Sequence, residues 1–141
     1  MNSPIRLAIV DDHEMIRQIW KMILQRDERI VVVAECASGE EAIACAEELC
    51  PDVMLMDINM SPVNGFEATH KIATAFPTVK IIGISINNQP AYARRMLQLG
   101  AKGYVTKNSA GSEMLEAILT VNQGGTYLCM DVKGKPEDEP E

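Results

Sequence analysis

The sequence predicts an α/β domain: a single doubly wound (βα)5 unit with a parallel five-stranded sheet of order 2-1-3-4-5. Three observations predict it. Short apolar runs recur near residues 5–10, 30–36, 53–60, 79–84 and 102–106. Segments with apolar residues at helical spacing lie between them. The joints are short and carry Gly, Pro, Asp or Ser. Strict alternation implies parallel strands with helices on both faces, because parallel neighbours need a crossover. At 141 residues the chain is one domain, large enough to bury most of its apolar surface.

Residues 5–10 are apolar apart from Arg6 and end at Asp11-Asp12-His13. Residues 13–26 place Ile16, Ile19, Trp20, Ile23 and Leu24 at helical spacing, and Asp12 stands where it could cap that helix. Residues 30–36 are β-branched and apolar, a second strand. Ser38-Gly39-Glu40-Glu41 opens a helix carrying Ala42, Ile43, Ala46 and Leu49, and Cys50-Pro51-Asp52 ends it.

The third strand runs through Val53-Met54-Leu55-Met56 into Asp57. An apolar run bounded by turn residues reads as a strand buried on both faces. Asp57 then sits at its carboxyl end, the edge where open α/β sheets bind ligands. A carboxylate there is a nucleophile, a metal ligand or a helix cap. Residues 65–76 form a third helix closed by Pro77. The fourth strand ends at Ser85. Residues 90–99 form a helix with Pro90 in its first turn and Gly100 beyond its end. The fifth strand ends at Lys107, and residues 111–122 carry Met114, Leu115, Ile118 and Val121 on one face before Gly124-Gly125. Thr126-Tyr127-Leu128 is placed to pack back on the domain. The expected division is a domain over 1–125 and a flexible acidic linker or tail over 126–141.

In this strand order Asp11, Asp12 and Asp57 converge on one edge, flanked by Ser85 and Lys107. Three carboxylates at separations near 5 Å repel by about 3 kcal/mol a pair at an effective dielectric near 20, so the cluster calls for a cation. Carboxylates and carbonyls are hard oxygen ligands suited to Mg²⁺. Acids, lysine and hydroxyl together describe a phosphoryl site in which a carboxylate attacks. Each residue also has a plainer reading. Asp12 caps a helix, Lys107 is solvated, Ser85 merely ends a strand, and His13 is a surface or capping residue. The Met-rich third strand reads as core. The joint placement at the ends of four strands favours the site.

Other totals exclude function classes. The net charge is −7, and residues 131–141 hold five acids against two lysines. No basic stripe suits nucleic acid, so the chain is not expected to bind DNA by itself. No apolar run approaches the roughly 18 residues that would span a membrane, and the start lacks the regions of a signal peptide. Four cysteines at 36, 45, 50 and 129 form no Cys-x-x-Cys pair. They read as reduced thiols of a cytoplasmic protein.

Asp11-Asp12, Asp57 with Met60 and Gly65 after it, Ser85 and Lys107 together resemble the receiver domain of two-component response regulators, over about residues 5–123. Gly100-Ala101-Lys102-Gly103-Tyr104-Val105-Thr106-Lys107 and Gly124-Gly125-Thr126-Tyr127-Leu128 resemble the NarL/FixJ class, whose members carry a LuxR-type helix-turn-helix. The resemblance implies a CheY-like, flavodoxin-like fold. It implies that Asp57 accepts a phosphoryl group from a sensor histidine kinase. Mg²⁺ would be arranged by Asp11 (directly or through water), Asp12, Asp57 and the backbone carbonyl of Asn59. Lys107 would contact the phosphoryl oxygens, and Ser85 and Tyr104 would act as the switch. Transfer would be self-catalysed and followed by slow hydrolysis, with no released product of an enzyme. The output would be a transcription domain absent from this chain. Self-association would use the faces of helices one, four and five.

Four departures from that pattern stand out. Ser61 precedes Pro62 where the proline directly follows the methionine in the family. Ile86 follows Ser85 where a small residue is usual. Asn108 follows Lys107 in place of the frequent proline. No helix-turn-helix follows residue 125. The rivals are an aspartyl-nucleophile phosphatase, a nucleotide or flavin binder, a stand-alone receiver and an unphosphorylated interaction module. The phosphatase needs an acid where Asn59 stands. The nucleotide binder needs a glycine- or hydroxyl-rich cradle where Asp11-Asp12-His13-Glu14 would repel phosphate.

Overall fold

The computed structural model describes residues 3–60, 64–86 and 88–133. Its elements are β1 (Ile5–Val10), α1 (Glu14–Leu24), β2 (Ile30–Cys36), α2 (Gly39–Leu49), β3 (Val53–Asp57), α3 (Gly65–Ala75), β4 (Lys80–Ser85), α4 (Pro90–Gln98), β5 (Gly103–Thr106), α5 (Gly111–Asn122), β6 (Tyr127–Leu128) and α6 (Met130–Lys133). The sheet order is β2-β1-β3-β4-β5-β6, every pair parallel. The expected order 2-1-3-4-5 holds, with β6 added at the β5 edge.

The central strands are buried on both faces, as their apolar runs require: every residue of β3 and β5 is buried. Trp20 and Leu24 of α1, Ala42 and Ala46 of α2, Ile72 of α3, Met96 of α4 and Met114, Ile118 and Val121 of α5 close over the sheet. Burying such side chains contributes about 1.5–3 kcal/mol each for the larger ones. No helix among the described residues is long and apolar enough to cross a membrane.

Local chemistry sets the helix starts. Ser38 caps α2 by accepting the Glu41 N–H at 3.1 Å, and Glu41 Oε1 accepts the Ala37 N–H at 2.8 Å in return. Asn64 caps α3 by accepting the Glu67 N–H at 2.8 Å. The expected Asp12 cap of α1 is not formed. The N-cap position is His13, without a side-chain cap bond, and Asp11 Oδ1 accepts the His13 N–H at 2.9 Å. Gly65 follows the capping Asn64 because nothing larger fits there. A Cβ would collide with the Asp57 carbonyl oxygen and the Ile58 Cα. Packed elements continue past the boundary at 125: Cys129 is 0% and Val132 3% exposed. A two-residue strand and a four-residue helix leave no periodicity for sequence to reveal. The remainder of the expected tail, residues 134–141, and the departure at Ser61-Pro62 lie outside the described residues.

Candidate functional site

The carboxyl ends of β1, β3, β4 and β5 bring the expected residues together. Asp57 ends β3 and is 1% exposed; Asp11 follows β1 and is 2% exposed. Lys107, just beyond β5, places Nζ 3.0 Å from Asp11 Oδ2 and 3.5 Å from Asp57 Oδ2. One ammonium thus bridges two buried carboxylates. Asp12 is more exposed, and His13 Nδ1 lies 3.0 Å from both Asp12 Oδ1 and Asp11 Oδ1. Oxygen or nitrogen atoms of Asp11, Asp12, His13 and Asp57 all lie within 4.8 Å of one another.

The two buried acids are pushed in opposite directions. For Asp57, burial raises the carboxyl above its usual range, the Asn59 N–H at 3.0 Å opposes, and the Asp11 charge adds to the rise. For Asp11, burial also pushes up, but the His13 N–H, Lys107 and the His13 ring together hold the carboxyl below its usual range. Burial pulls the Lys107 ammonium down, yet its bond to Asp11 and the two carboxylate charges raise it. Lys107 is therefore a firmly charged cation. The solvated-surface reading fails, since its side chain is only 16% exposed.

Ser85 is fully buried at the end of β4, and its hydroxyl donates to Asn59 Oδ1 at 2.9 Å. Tyr104 is fully buried too. Burial pushes its hydroxyl up to about 12, against a hydrogen bond with Ser85. Ile86 is 75% exposed, so its large side chain packs against little.

Residues 7–119 match the response regulator receiver domain. The chain belongs to that family. It is similar to the transcriptional regulatory protein DegU of Brevibacillus brevis, 40% identical over 126 residues, which cover 89% of this chain and 53% of the relative. It is 38% identical to the response regulator GacA of Pseudomonas viridiflava, over 88% of this chain and 58% of the relative. The chain thus spans between 53 and 58% of the length of these relatives. Among solved structures, a LuxR-family two-component response regulator from Aurantimonas sp. SI85-9A1 superposes with a TM-score of 0.90, 31% identity and 94% coverage of both chains. The receiver domain of the putative response regulator NarL from Mycobacterium tuberculosis gives 0.83 and 27%, covering 87% of this chain and 99% of that one. The chain is a receiver domain of a two-component response regulator, and receivers act as regulators rather than as catalysts of a metabolic step.

Receivers bind Mg²⁺ at an acidic aspartate cluster, and the donors of this receiver fit that ion. The cluster is oxygen-rich, two of its acids are buried, and their repulsion is only partly offset by Lys107. Sequence reasoning missed two features of the site. Arg17 of α1 donates from Nη1 to the Asp11 carbonyl at 2.6 Å and lies 3.3 Å from Glu35 of β2 through Nε. It clamps the loop that carries Asp11 and Asp12. The Asn59 side chain, bonded to Ser85, was also missed, because only its carbonyl was expected to matter. Neither signal is visible in a pattern of apolar residues.

Proposed function

We propose that Asp57 accepts a phosphoryl group from a sensor histidine kinase. Asp11, Asp12, Asp57 and the Asn59 carbonyl hold Mg²⁺, Lys107 contacts the phosphoryl oxygens, and Ser85 and Tyr104 carry the change to the surface. The observation that carries the reading is the Lys107 ammonium bridging the buried Asp11 and Asp57 carboxylates at 3.0 and 3.5 Å. When bound, Mg²⁺ neutralises the carboxylates and the incoming phosphoryl oxygens. An Asp57 oxygen forms the new P–O bond as the P–N bond of the donor breaks, and the donor imidazole leaves with the electron pair. The Asn59 N–H holds Asp57 Oδ1 at 3.0 Å and Lys107 Nζ faces Oδ2 at 3.5 Å, which orients the carboxylate as nucleophile. Lys107 lies where negative charge gathers during transfer. Later hydrolysis of the acyl phosphate returns the free carboxylate.

The segment 126–141 leads from the receiver toward a transcription output, and the chain acts in the cytoplasm. It does not bind DNA itself: with a net charge of −7 it would repel phosphate. Self-association uses helical faces at α1, α4 and α5, where Met15 and Met22 of α1 are 72% and 58% exposed. Incubation with acetyl phosphate and Mg²⁺, followed by intact-mass measurement, tests the central claim. One phosphoryl adduct is expected, lost in Asp57→Asn and on chelation. An Asn variant that labels as well as the parent refutes the assignment.

A further inference from the structure

Residues 127–133 are seated on the face made by β5, α4 and α5. β6 pairs with β5, Tyr127 opposite Gly103 and Leu128 opposite Tyr104. The Tyr127 N–H donates to the Lys102 carbonyl at 3.0 Å, and the Cys129 N–H to the Tyr104 carbonyl at 3.1 Å. Cys129 and Val132 are buried, and α6 lies against β5 and α4. On the α5 side, Glu113 Oε2 accepts the Met130 N–H at 2.6 Å and the Tyr127 hydroxyl at 3.1 Å. These elements are too short to be stable alone. They persist only while the surface beneath them keeps its shape, which places them among the locally weak units of a fold.

Tyr104 is part of that surface. Its ring lies against β4 at Gly83, where a Cβ would come within 3.2 Å of Tyr104 Cδ1 and 2.8 Å of Met96 Cε. Its hydroxyl is bonded to Ser85, and Ser85 is bonded to Asn59 beside Asp57. A continuous line of contacts therefore runs from Asp57 through Asn59, Ser85 and Tyr104 to Cys129.

We propose that phosphorylation of Asp57 releases residues 127–133 from this face, making the receiver's own C-terminal segment the first reader of the switch. The inference rests on the reading of Asp57 as phosphoacceptor. Ser85 has one hydroxyl proton. A phosphoryl oxygen is a stronger acceptor than the Asn59 amide, so Ser85 donates to it and is drawn toward the site. The Tyr104 hydroxyl is fully buried and must keep a partner, so it follows Ser85. That movement disturbs β5 at Tyr104, whose carbonyl holds the Cys129 N–H, and the weakly held segment lifts.

The four cysteines provide the test in the unmodified chain. Cys129 is the segment's own buried thiol, Cys50 is exposed, and Cys36 and Cys45 are buried elsewhere. Iodoacetamide alkylation is followed peptide by peptide in Mg²⁺, with and without acetyl phosphate, and the phosphoryl adduct is measured in the same samples. Alkylation of Cys129 should quicken about tenfold, the scale of a typical coupling between sites. Cys36, Cys45 and Cys50 should keep their rates. Adduct formation with an unchanged or slower Cys129 overturns the proposal. If no adduct forms, the reading of Asp57 has failed, and a second arm decides the coupling. Tyr104→Ala should expose Cys129 without any donor while Cys36 and Cys45 stay protected, and Tyr104→Phe should keep it covered. Equal Cys129 rates in the two variants, or exposure of all the cysteines together, overturns the coupling.

Discussion

The β1–β3 side of the site is charged, and the β4–β5 side is neutral as far as Thr106. On the first side every polar group of Asp11 is held. Its N–H donates to the Cys36 carbonyl at 3.0 Å, its carbonyl accepts from Arg17, and its carboxylate meets His13 and Lys107. On the second side Ser85, Thr106 and Tyr104 are buried without charge. Hydroxyl bonds such as Ser85 to Asn59 and Tyr104 to Ser85 link them to the rest. Ionic contacts in a buried pocket are costly to break singly, whereas a neutral hydrogen bond exchanged for another costs little. The difference teaches that one side is built to stay and the other to move.

The largest effect is expected where the charged side loses its cation. Lys107→Met leaves the Asp11 and Asp57 carboxylates facing each other with no ammonium between them. The rate of labelling by acetyl phosphate should fall about 100-fold or more, as for loss of one electrostatic partner at a reacting group. Intact-mass time courses read it. A rate close to the parent's would mean that the cation is dispensable and the charged side is not organised around it.

Next comes the clamp. Arg17→Met removes the bond to the Asp11 carbonyl but no group that would touch Mg²⁺. The Mg²⁺ concentration giving half-maximal labelling should rise about tenfold, while the rate at saturating Mg²⁺ stays nearly unchanged, as for an outer-shell partner of a ligand. A fall in the saturated rate alone would show that Arg17 does not act by positioning the acids.

Arg17 also marks where sequence legibility ended. Strands were readable because a buried parallel strand must be an unbroken apolar run, and the site because such runs must end where the chain leaves the core. Asp11, Asp57, Ser85 and Lys107 all stand at such ends. Arg17 sits on a helix among Gln18 and Glu14, where the pattern suggests a solvated face. Only the tertiary approach of β2 with Glu35 turns it inward. The Asp12 cap is absent because the helix begins one residue later, with His13 at the N-cap position. β6 and α6 are held by pairing with β5 and by Glu113, contacts that no local pattern encodes.

The third effect is on stability and has a definite sign. Asp57 has a raised carboxyl, so the folded state holds that proton more tightly than the unfolded chain. Its contribution favours folding below the ordinary aspartate value of 3.8 and is lost as pH rises through the folded value. At neutral pH the charge therefore opposes the fold. Asp57→Asn should raise the melting temperature at pH 7 by about 3–6 °C, the shift that about 1 kcal/mol produces in a domain of this size. The gain should shrink toward acid pH. Asp11 has the opposite sign: its carboxyl is lowered, so its stabilisation is present above 3.8 and lost as pH falls through the folded value. Asp11→Asn should accordingly lower the melting temperature. Scans of both variants across pH separate the two, and equal shifts of one sign would show that the pair does not divide its burden this way.

The smallest effect on the chemistry is expected on the neutral side. Ser85→Ala deletes a hydroxyl that donates to Asn59 Oδ1 and meets the Tyr104 hydroxyl, but it removes no charge from the Asp11, Asp57 and Lys107 cluster. The lost bonds cost about 1 kcal/mol of stability. Labelling of Asp57 should stay within about threefold of the parent, less than 1 kcal/mol in barrier. What should fall is the response. In the parent, a phosphoryl mimic should change amide exchange across residues 88–107, because Ser85 moves and Tyr104 follows. In the variant, the mimic has no hydroxyl to recruit, and the change should be much reduced. A variant that labels poorly but responds fully would reverse the roles of the two sides. An exchange pattern that the mimic leaves untouched in the parent would return Ser85 and Tyr104 to ordinary buried strand residues.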